Sequence, residues 1–192
     1  MMGSRQDDGQ AGRFEAFYTA HFQEIAAYVR RRVPPADADD VVAQVFAVAW
    51  RRFGTVPAPP QDRLWLFGVA RNSVADQYRS AQRRHRLHAR LSVDALTQPA
   101  AAPGPDPRSE PVLAAISALR PRDREALQLV LWDGLSHAEA AAVLRCSPNA
   151  LEQRYRRARR AVRDALSGAL SASQERREPL ISTPPTRRTE QT

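Results

Sequence analysis

Apolar side chains recur every three or four residues along three stretches between residues 13 and 91. This spacing places them on one side of a helix and predicts three amphipathic helices. Pro34 and Pro35 are expected to end the first helix, and Asp37 to cap the second, with Asp40 in its first turn. The apolar positions are Phe14, Phe17, Tyr18, Phe22, Ile25, Tyr28, Val29 and Val33, then Val41, Val42, Val45, Phe46, Ala49 and Trp50, then Leu64, Trp65, Phe67, Val69, Ala70, Val74 and Tyr78.

Residues 112–166 show the same helical spacing. A short apolar helix comes first, and Pro121 then begins a second helix that runs to Trp132. Gly134 is expected to end it through a left-handed cap. No segment has the alternating pattern of a strand. The sequence therefore predicts an all-α protein with two small helical domains.

Prolines divide the chain into these domains. The first domain is expected over residues 13–91 and the second over 112–166, joined by a flexible Pro/Ala-rich linker over 92–111. Residues 1–12 are expected to be disordered. The polar stretch 167–192 is either disordered too or a regulatory extension. The prolines that crowd the linker are Pro99, Pro103, Pro105, Pro107 and Pro111.

The segment from Ser136 to Leu166 has the layout of a helix-turn-helix. Ser136 and Glu139 have the spacing of a capping box at the start of a short helix. Ser147 is expected to cap the longer helix that follows, with Pro148 in its first turn, where a missing amide hydrogen costs nothing.

The longer helix has one apolar side and a polar, arginine-rich remainder, as a recognition helix needs. Its early polar residues would reach base edges and its later arginines would hold phosphates. The alternative is a solvated helix face with no ligand. The apolar positions are Leu151, Tyr155, Ala158, Val162 and Leu166. The polar positions are Glu152, Gln153, Arg154, Arg156, Arg157, Arg159, Arg160 and Arg163.

The charge balance favours a polyanionic partner. The 192 residues include 29 basic side chains, all arginine, and the formal net charge is +8. Nucleic acid is the first candidate, because arginine binds phosphate and guanine in a bidentate manner. A GC-rich genome, or a merely basic domain, would explain the same composition.

Catalytic, metal and cofactor sites are not expected. His21, His85, His88 and His137 are scattered without the spacing of zinc ligands, and Cys146 is the only cysteine. Cys146 is interpreted as a small buried residue of the turn, in preference to a redox sensor. No apolar run is long enough to span a membrane, and no secretory signal is evident, so the expected location is the cytoplasm.

Four strings of residues carry a resemblance to a known family. FEAFYTAHFQEIAAYVRRR, DADDVVAQVFAVAW and LWLFGVARNSVADQYR resemble, in order, the helices of region two of RNA polymerase sigma factors. DGLSHAEAAAVLRCSPNALEQRYRRARRAVRDAL is similar to their promoter-recognition region four. The chain resembles the extracytoplasmic-function (ECF) subfamily of the sigma-70 family, over most of residues 13–166.

The resemblance implies three sites and no enzymatic activity. The second helix would bind a coiled coil on the polymerase clamp subunit, the third helix and the loop before it would open the minus-ten element and hold a flipped base, and the recognition helix would read the minus-thirty-five element. The implied core-polymerase residues are Asp39, Asp40, Val42 and Gln44. The implied minus-ten residues are Phe53, Arg71, Asn72, Tyr78 and Arg79. The implied minus-thirty-five residues are Glu152, Gln153, Arg154, Arg156, Arg157 and Arg160.

Three departures from the family pattern stand out. Ala43-Gln44 stands where the family usually has Gln-Glu, so one carboxylate is lost from the clamp-binding surface. Arg145 replaces the glycine of the turn. Glu152 stands where a base-reading lysine or arginine is common, and a carboxylate repels phosphate but accepts a hydrogen bond from cytosine. Trp50 and Trp65 are interpreted as core residues.

The implied partners are core RNA polymerase, promoter DNA and an anti-sigma factor that clamps both domains. Two other functions stay open from the residues alone. One is a helix-turn-helix regulator that binds duplex DNA without polymerase. The other is a degenerate sigma homologue that serves as a protein-interaction module.

Overall fold

The computed structural model describes residues 4–91 and 110–175. Within this part of the chain there are seven α-helices, one short 3-10 turn at Phe53–Thr55 and no strand, which confirms the all-α prediction. The helices are α1 (Ser4–Arg30), α2 (Pro35–Arg51), α3 (Gln61–Leu91), α4 (Glu110–Ser117), α5 (Pro121–Leu131), α6 (His137–Val143) and α7 (Pro148–Glu175).

The first and last helices are longer than expected from the sequence. α1 begins at Ser4, inside the stretch 1–12 that was expected to be disordered, and α7 continues to Glu175, past Leu166. Neither extension contains a proline, the residue that interrupts a helix most strongly. Most of the predicted linker, residues 92–109, and the tail from residue 176 lie outside the described residues.

The prediction that Asp37 caps α2 is wrong. The N-cap residue is Pro34, three residues earlier, and Pro35 lies in the first turn. A proline fits the first helical turn because its fixed φ suits the helix and its missing N–H would have had no partner. Asp37 donates its backbone N–H to the Pro34 carbonyl at 3.0 Å, and its carboxylate lies in the acid-favouring first turn.

Residues 4–91 and 128–152 form one compact unit, so part of the second predicted domain packs with the first three helices. The rings of Tyr28 and Phe67 meet edge to face at a centroid distance of 5.4 Å in its core. The largest fully buried side chains of the described residues are Tyr28, Phe67, Ile25, Leu66, Leu129, Leu135, Leu151, Val29 and Val45.

A buried carboxylate links the two parts of this unit. The Asp133 side chain has no exposed surface, and its two oxygens accept hydrogen bonds at 2.5 Å from Arg31 and Arg32, which follow α1. The Arg32 guanidinium also lies 3.7 Å from the centre of the Tyr28 ring. A buried charge needs such partners, since an unpaired one would be strongly destabilising.

Residues 110–127 and 153–175 form the second compact unit. Ile116 and Leu119 from the first of these segments are buried, as are Tyr155 and Ala158 from the second. The apolar side of α7 therefore packs inward, as its spacing predicted.

Candidate polymerase and nucleic-acid interfaces

The outward side of α2 carries most of the residues expected to bind polymerase. Asp39 and Asp40 are exposed, and Gln44 lies about one turn further along the same side. Asp39 accepts a hydrogen bond from Arg30 at 3.3 Å, but its side chain is 87% exposed, so water screens the pair. Val42 differs from the others: it is 5% exposed and packs in the core, so it adds nothing to the exposed row.

The residues expected to contact the minus-ten element lie mainly on one side of α3. Arg71 and Asn72 are separated by seven residues from Tyr78 and Arg79, a step that returns to the same side of a helix. Asn72, Tyr78 and Arg79 are exposed, and Arg71 is half-buried. The Tyr78 hydroxyl donates a hydrogen bond to the Arg32 carbonyl, which fixes the direction of the ring.

Phe53 belongs to an aromatic cluster and is not a free ring. Its centroid lies 5.2 Å from that of Phe14 and 5.7 Å from that of Phe17, with edge-to-face and tilted geometry. The interpretation of Trp50 as a core residue is wrong, because the residue is 43% exposed. The centroid of its ring lies 5.0 Å from that of Phe14, and the two rings are nearly perpendicular. Trp65 is half-buried.

A cavity of about 480 Å³ lies beside this cluster, where the connection between α2 and α3 faces α1. His21 and Asp62 contribute polar groups to its wall and contact each other at 3.3 Å. Phe17 and Phe53 contribute rings, so the cavity combines flat apolar surfaces with hydrogen-bonding groups. Its lining residues are Gln10, Arg13, Ala16, Phe17, Ala20, His21, Phe53, Gly54, Val56, Pro57, Pro59 and Asp62.

The caps of the helix-turn-helix are those predicted. Ser136 donates its N–H to the Glu139 carboxylate at 2.8 Å and accepts from the Glu139 N–H at 3.3 Å, which confirms the capping box. The hydrogen bonds from the Ser136 backbone and side chain lower the pKa of the Glu139 carboxyl below its ordinary value. Ser147 accepts from the Ala150 N–H at 3.2 Å at the start of α7.

The turn after α6 has the backbone geometry that glycine favours. Arg145 has a φ of +50°, in the left-handed region. Its N–H bonds to the Ala142 carbonyl at 3.1 Å and the Cys146 N–H bonds to the Ala141 carbonyl at 3.0 Å, the two bonds of a Schellman motif. The chain therefore keeps the turn without its glycine. Cys146 is partly exposed, not fully buried as expected.

The sides of α7 differ in their neighbours. Gln153, Arg156 and Arg160 lie opposite the buried stripe of Leu151 and Ala158 and form an exposed central ridge. A ridge of this kind, with long polar side chains, is what a recognition helix presents to the major groove.

Residues on both sides of the ridge have polar partners. The Glu152 carboxylate lies 2.7 Å from Nδ1 of His137, which orients it. Arg157 donates two hydrogen bonds, at 3.0 and 3.4 Å, to Asp123 of α5. This contact raises the pKa of the Arg157 guanidinium. Sequence reasoning missed Asp123 because its partner lies 34 residues away.

The described residues hold no group of three or more histidine, cysteine or acidic side chains placed to bind a metal ion. Within the same residues, no helix is both long and apolar enough to cross a membrane.

Comparison with protein families gives two matches. The Sigma-70 region 2 model matches residues 17–84, and the Sigma-70, region 4 model matches residues 109–162. The first covers the outward side of α2 and the polar side of α3, and the second covers the helix-turn-helix.

Individual proteins match over most of the chain. The ECF RNA polymerase sigma factor SigC of Mycobacterium tuberculosis is 33% identical over 158 residues, which cover 80% of this chain and 83% of SigC. The RNA polymerase sigma factor CnrH of Cupriavidus metallidurans is 31% identical over 154 residues, which cover 75% of this chain and 78% of CnrH. A solved structure of CnrH in complex with the cytosolic domain of CnrY matches with a TM-score of 0.59 and 28% identity, covering 81% of this chain and 88% of that one.

Proposed function

The chain belongs to the ECF subfamily of sigma-70-family RNA polymerase sigma factors, and from that premise we propose which of its surfaces carry each step of promoter recognition. Sigma factors act in transcription initiation by binding core polymerase and promoter DNA. The phosphodiester chemistry is then the work of the polymerase and not of this chain, which acts where promoter DNA is, in the cytoplasm.

The outward side of α2 is proposed to bind the clamp subunit of the polymerase. Asp39, Asp40 and Gln44 form an exposed polar row on a helix whose other side is buried. Carboxylates in this setting steer a basic partner surface and fix its register. Gln44 stands where the family pattern has a glutamate, so Asp39 and Asp40 supply the carboxylates of the row.

The polar side of α3 and the neighbouring cavity are proposed to hold the opened minus-ten strand. Arg71 and Arg79 supply cations for the backbone, and Asn72 supplies hydrogen bonds. The exposed ring of Trp50 offers a stacking surface, and the cavity lined by Phe53 has room for an unpaired base. Stacking and cations together are how proteins retain single strands.

The ridge of α7 is proposed to read the minus-thirty-five element in the major groove. Gln153 and Arg156 are early enough in the helix to reach base edges, and Arg160 follows one turn later. Glu152 stays close to His137, so its carboxylate is oriented and able to accept from cytosine.

An anti-sigma factor is proposed as the regulatory partner. The CnrH relative was solved in complex with the cytosolic domain of CnrY, and this chain matches CnrH over 88% of its length in that structure. A similar fold gives an anti-sigma protein the same helices to bind.

The observation that carries the proposal is the exposed acidic row on α2, and charge reversal tests it. We expect Asp40→Arg to weaken binding to core polymerase at least tenfold, since attraction becomes repulsion. Binding is measured by fluorescence anisotropy with the labelled full chain and purified core enzyme. Glu15→Arg is the matched control, because Glu15 is exposed on α1, outside this row.

Equal core affinity for wild type, Asp40→Arg and Glu15→Arg would exclude α2 as the clamp contact. If the wild-type chain bound duplex DNA but never core polymerase, a stand-alone regulator would replace the proposal.

A further inference from the structure

Within the first compact unit, polar contacts hold the start of the helix-turn-helix against α1 and α3. Arg31 and Arg32 each donate a hydrogen bond of 2.5 Å to the Asp133 carboxylate, which precedes α6. Arg63, near the start of α3, donates to Glu139 of α6 at 3.3 Å and to the Asp133 carbonyl at 3.5 Å. We call this set of contacts the latch.

The latch also reaches the residues proposed to hold the opened minus-ten strand. The backbone carbonyl of Arg32 accepts the hydrogen bond from the Tyr78 hydroxyl, whereas the Arg32 guanidinium binds Asp133. One residue therefore contacts both the minus-ten side of α3 and the segment that leads into the helix-turn-helix.

The two promoter elements lie too far apart for the latch to persist on DNA. By their names they are about 25 base pairs apart, which is roughly 85 Å of B-form duplex. The chain from Glu139 to Glu152 spans at most about 45 Å even when fully extended. α3 spans about 23 Å from Arg63 to Tyr78. While Arg63 is bonded to Glu139, the early residues of α7 therefore cannot reach the minus-thirty-five element with α3 at the minus-ten element.

We propose that the latch keeps the free chain in a closed state, which must open before both promoter elements are bound. The inference rests on the proposed function, because it requires α3 and α7 to bind the two elements together. The clamp-binding row on α2 is outside the latch, and its carboxylates, Asp39 and Asp40, are exposed in the closed state. Core polymerase can therefore bind first, and the latch breaks afterwards.

The chemistry of the latch suits a contact that forms and breaks. Interfaces between parts of one chain that are small and polar permit relative motion, because water solvates the groups that they release. Arg31 and Arg63 are already partly exposed, at 34% and 27% of their side-chain surfaces. Asp133 is fully buried, so the closed state depends on the pairing of its charge. An uncharged side chain at this position leaves Arg32 unpaired in the closed state and thereby favours opening.

Energy transfer between two dyes on the full chain measures opening directly. One dye is attached to Cys146, the only cysteine of the sequence, in the turn after α6. The other is attached to Thr19→Cys on the exposed surface of α1. The two dyes therefore report on the separation between α1 and the helix-turn-helix.

Two variants weaken the latch, and each has a control with the same change of charge. Asp133→Asn removes the buried charge at nearly constant size, and Glu15→Gln removes an exposed acid from α1. Arg31→Gln is a milder change, because Arg32 still pairs with Asp133. Its control is Arg30→Gln, which removes the neighbouring charge from an exposed pair outside the latch.

We expect high transfer efficiency in the free wild-type chain and a fall when purified core polymerase is added. Both latch variants should lower the efficiency without polymerase. They should also bind core at least about threefold more tightly, because a closed state reduces the fraction of chains that are competent to form the complex. The two controls should match wild type, and circular dichroism should show equal helicity in all five proteins.

Equal efficiency in wild type and both latch variants, with no change on binding to core, would overturn the latch and leave the proposed function intact. Loss of helicity in both latch variants would also overturn it, because the contacts would then be part of the fold itself. If wild type did not bind core but Asp133→Asn still lowered the efficiency, the proposed function would fail while the closed contact stood.

Discussion

Arg145 has a backbone conformation that its residue type disfavours, because its φ is in the left-handed region. A left-handed φ costs an L-residue with a Cβ about 1–2 kcal/mol, yet the Schellman bonds of the turn hold Arg145 at +50°. The exposed arginine gains nothing visible from this geometry. The strain is tolerated because the helices on both sides of the turn are fixed by buried residues, among them Ala141 and Leu151.

Arg145→Gly should stabilise the chain by about 0.5–1 kcal/mol. Relief of the left-handed strain outweighs the greater freedom that glycine gives the unfolded chain. The free energy of unfolding is measured by urea denaturation. Arg145→Ala keeps the Cβ and should leave it nearly unchanged, so a glycine variant no more stable than the alanine variant would contradict this account.

The helix ends show which parts of an element a local sequence can specify. Ser136, Ser147 and Gly134 were predicted to stand at helix ends and do, because each acts on backbone groups within a few residues. The prediction for Asp37 failed for a local reason too. Pro34 occupies the N-cap position and Pro35 the first turn, so the helix has already begun before Asp37.

The capping box of α6 should make stability depend on pH in the acid range. The pKa of Glu139 is lowered from its ordinary 4.5 by hydrogen bonds from Ser136. Its contribution is therefore fully present above about pH 4.5 and is lost as the pH falls through the lower folded-state pKa. In Glu139→Gln the amide keeps a hydrogen-bonding group in the capping box but does not titrate in this pH range.

The free energy of unfolding of both proteins, measured by urea denaturation from pH 7 to pH 3, should show the stability advantage of wild type shrinking below about pH 4.5. A constant difference over this range would show that the carboxylate is not coupled to folding.

At the scale of the whole molecule, the decisive contacts join residues far apart in sequence. Asp133 bonds to arginines more than 100 positions earlier, and no local pattern identifies it as anything but a polar residue before Gly134. The helices and the family were predictable from spacing and motifs. Two features were not: the exposure of Trp50 and the pairing of Asp123 with Arg157, because each depends on packing between distant segments.

Asp133→Ala should lower the free energy of unfolding by about 3–5 kcal/mol. Removing the acid leaves Arg32, whose side chain is only 7% exposed, as a buried charge without its partner. Guanidinium denaturation gives the value. Asp164→Ala, which breaks an exposed pair with Arg160, should change stability by no more than about 0.5 kcal/mol. Equal effects of the two substitutions would show that the Asp133 contact contributes no more than a surface pair.

The central claim is that this chain directs core polymerase to promoters through α2 and its two DNA-binding helices. Run-off transcription with purified core enzyme on genomic promoter fragments tests it most directly, with wild type, Asp40→Arg and Glu15→Arg compared at equal concentration. The account predicts transcripts that require the chain, persist with Glu15→Arg and disappear with Asp40→Arg. Core binding without any chain-dependent transcript would contradict it and favour a protein-interaction module.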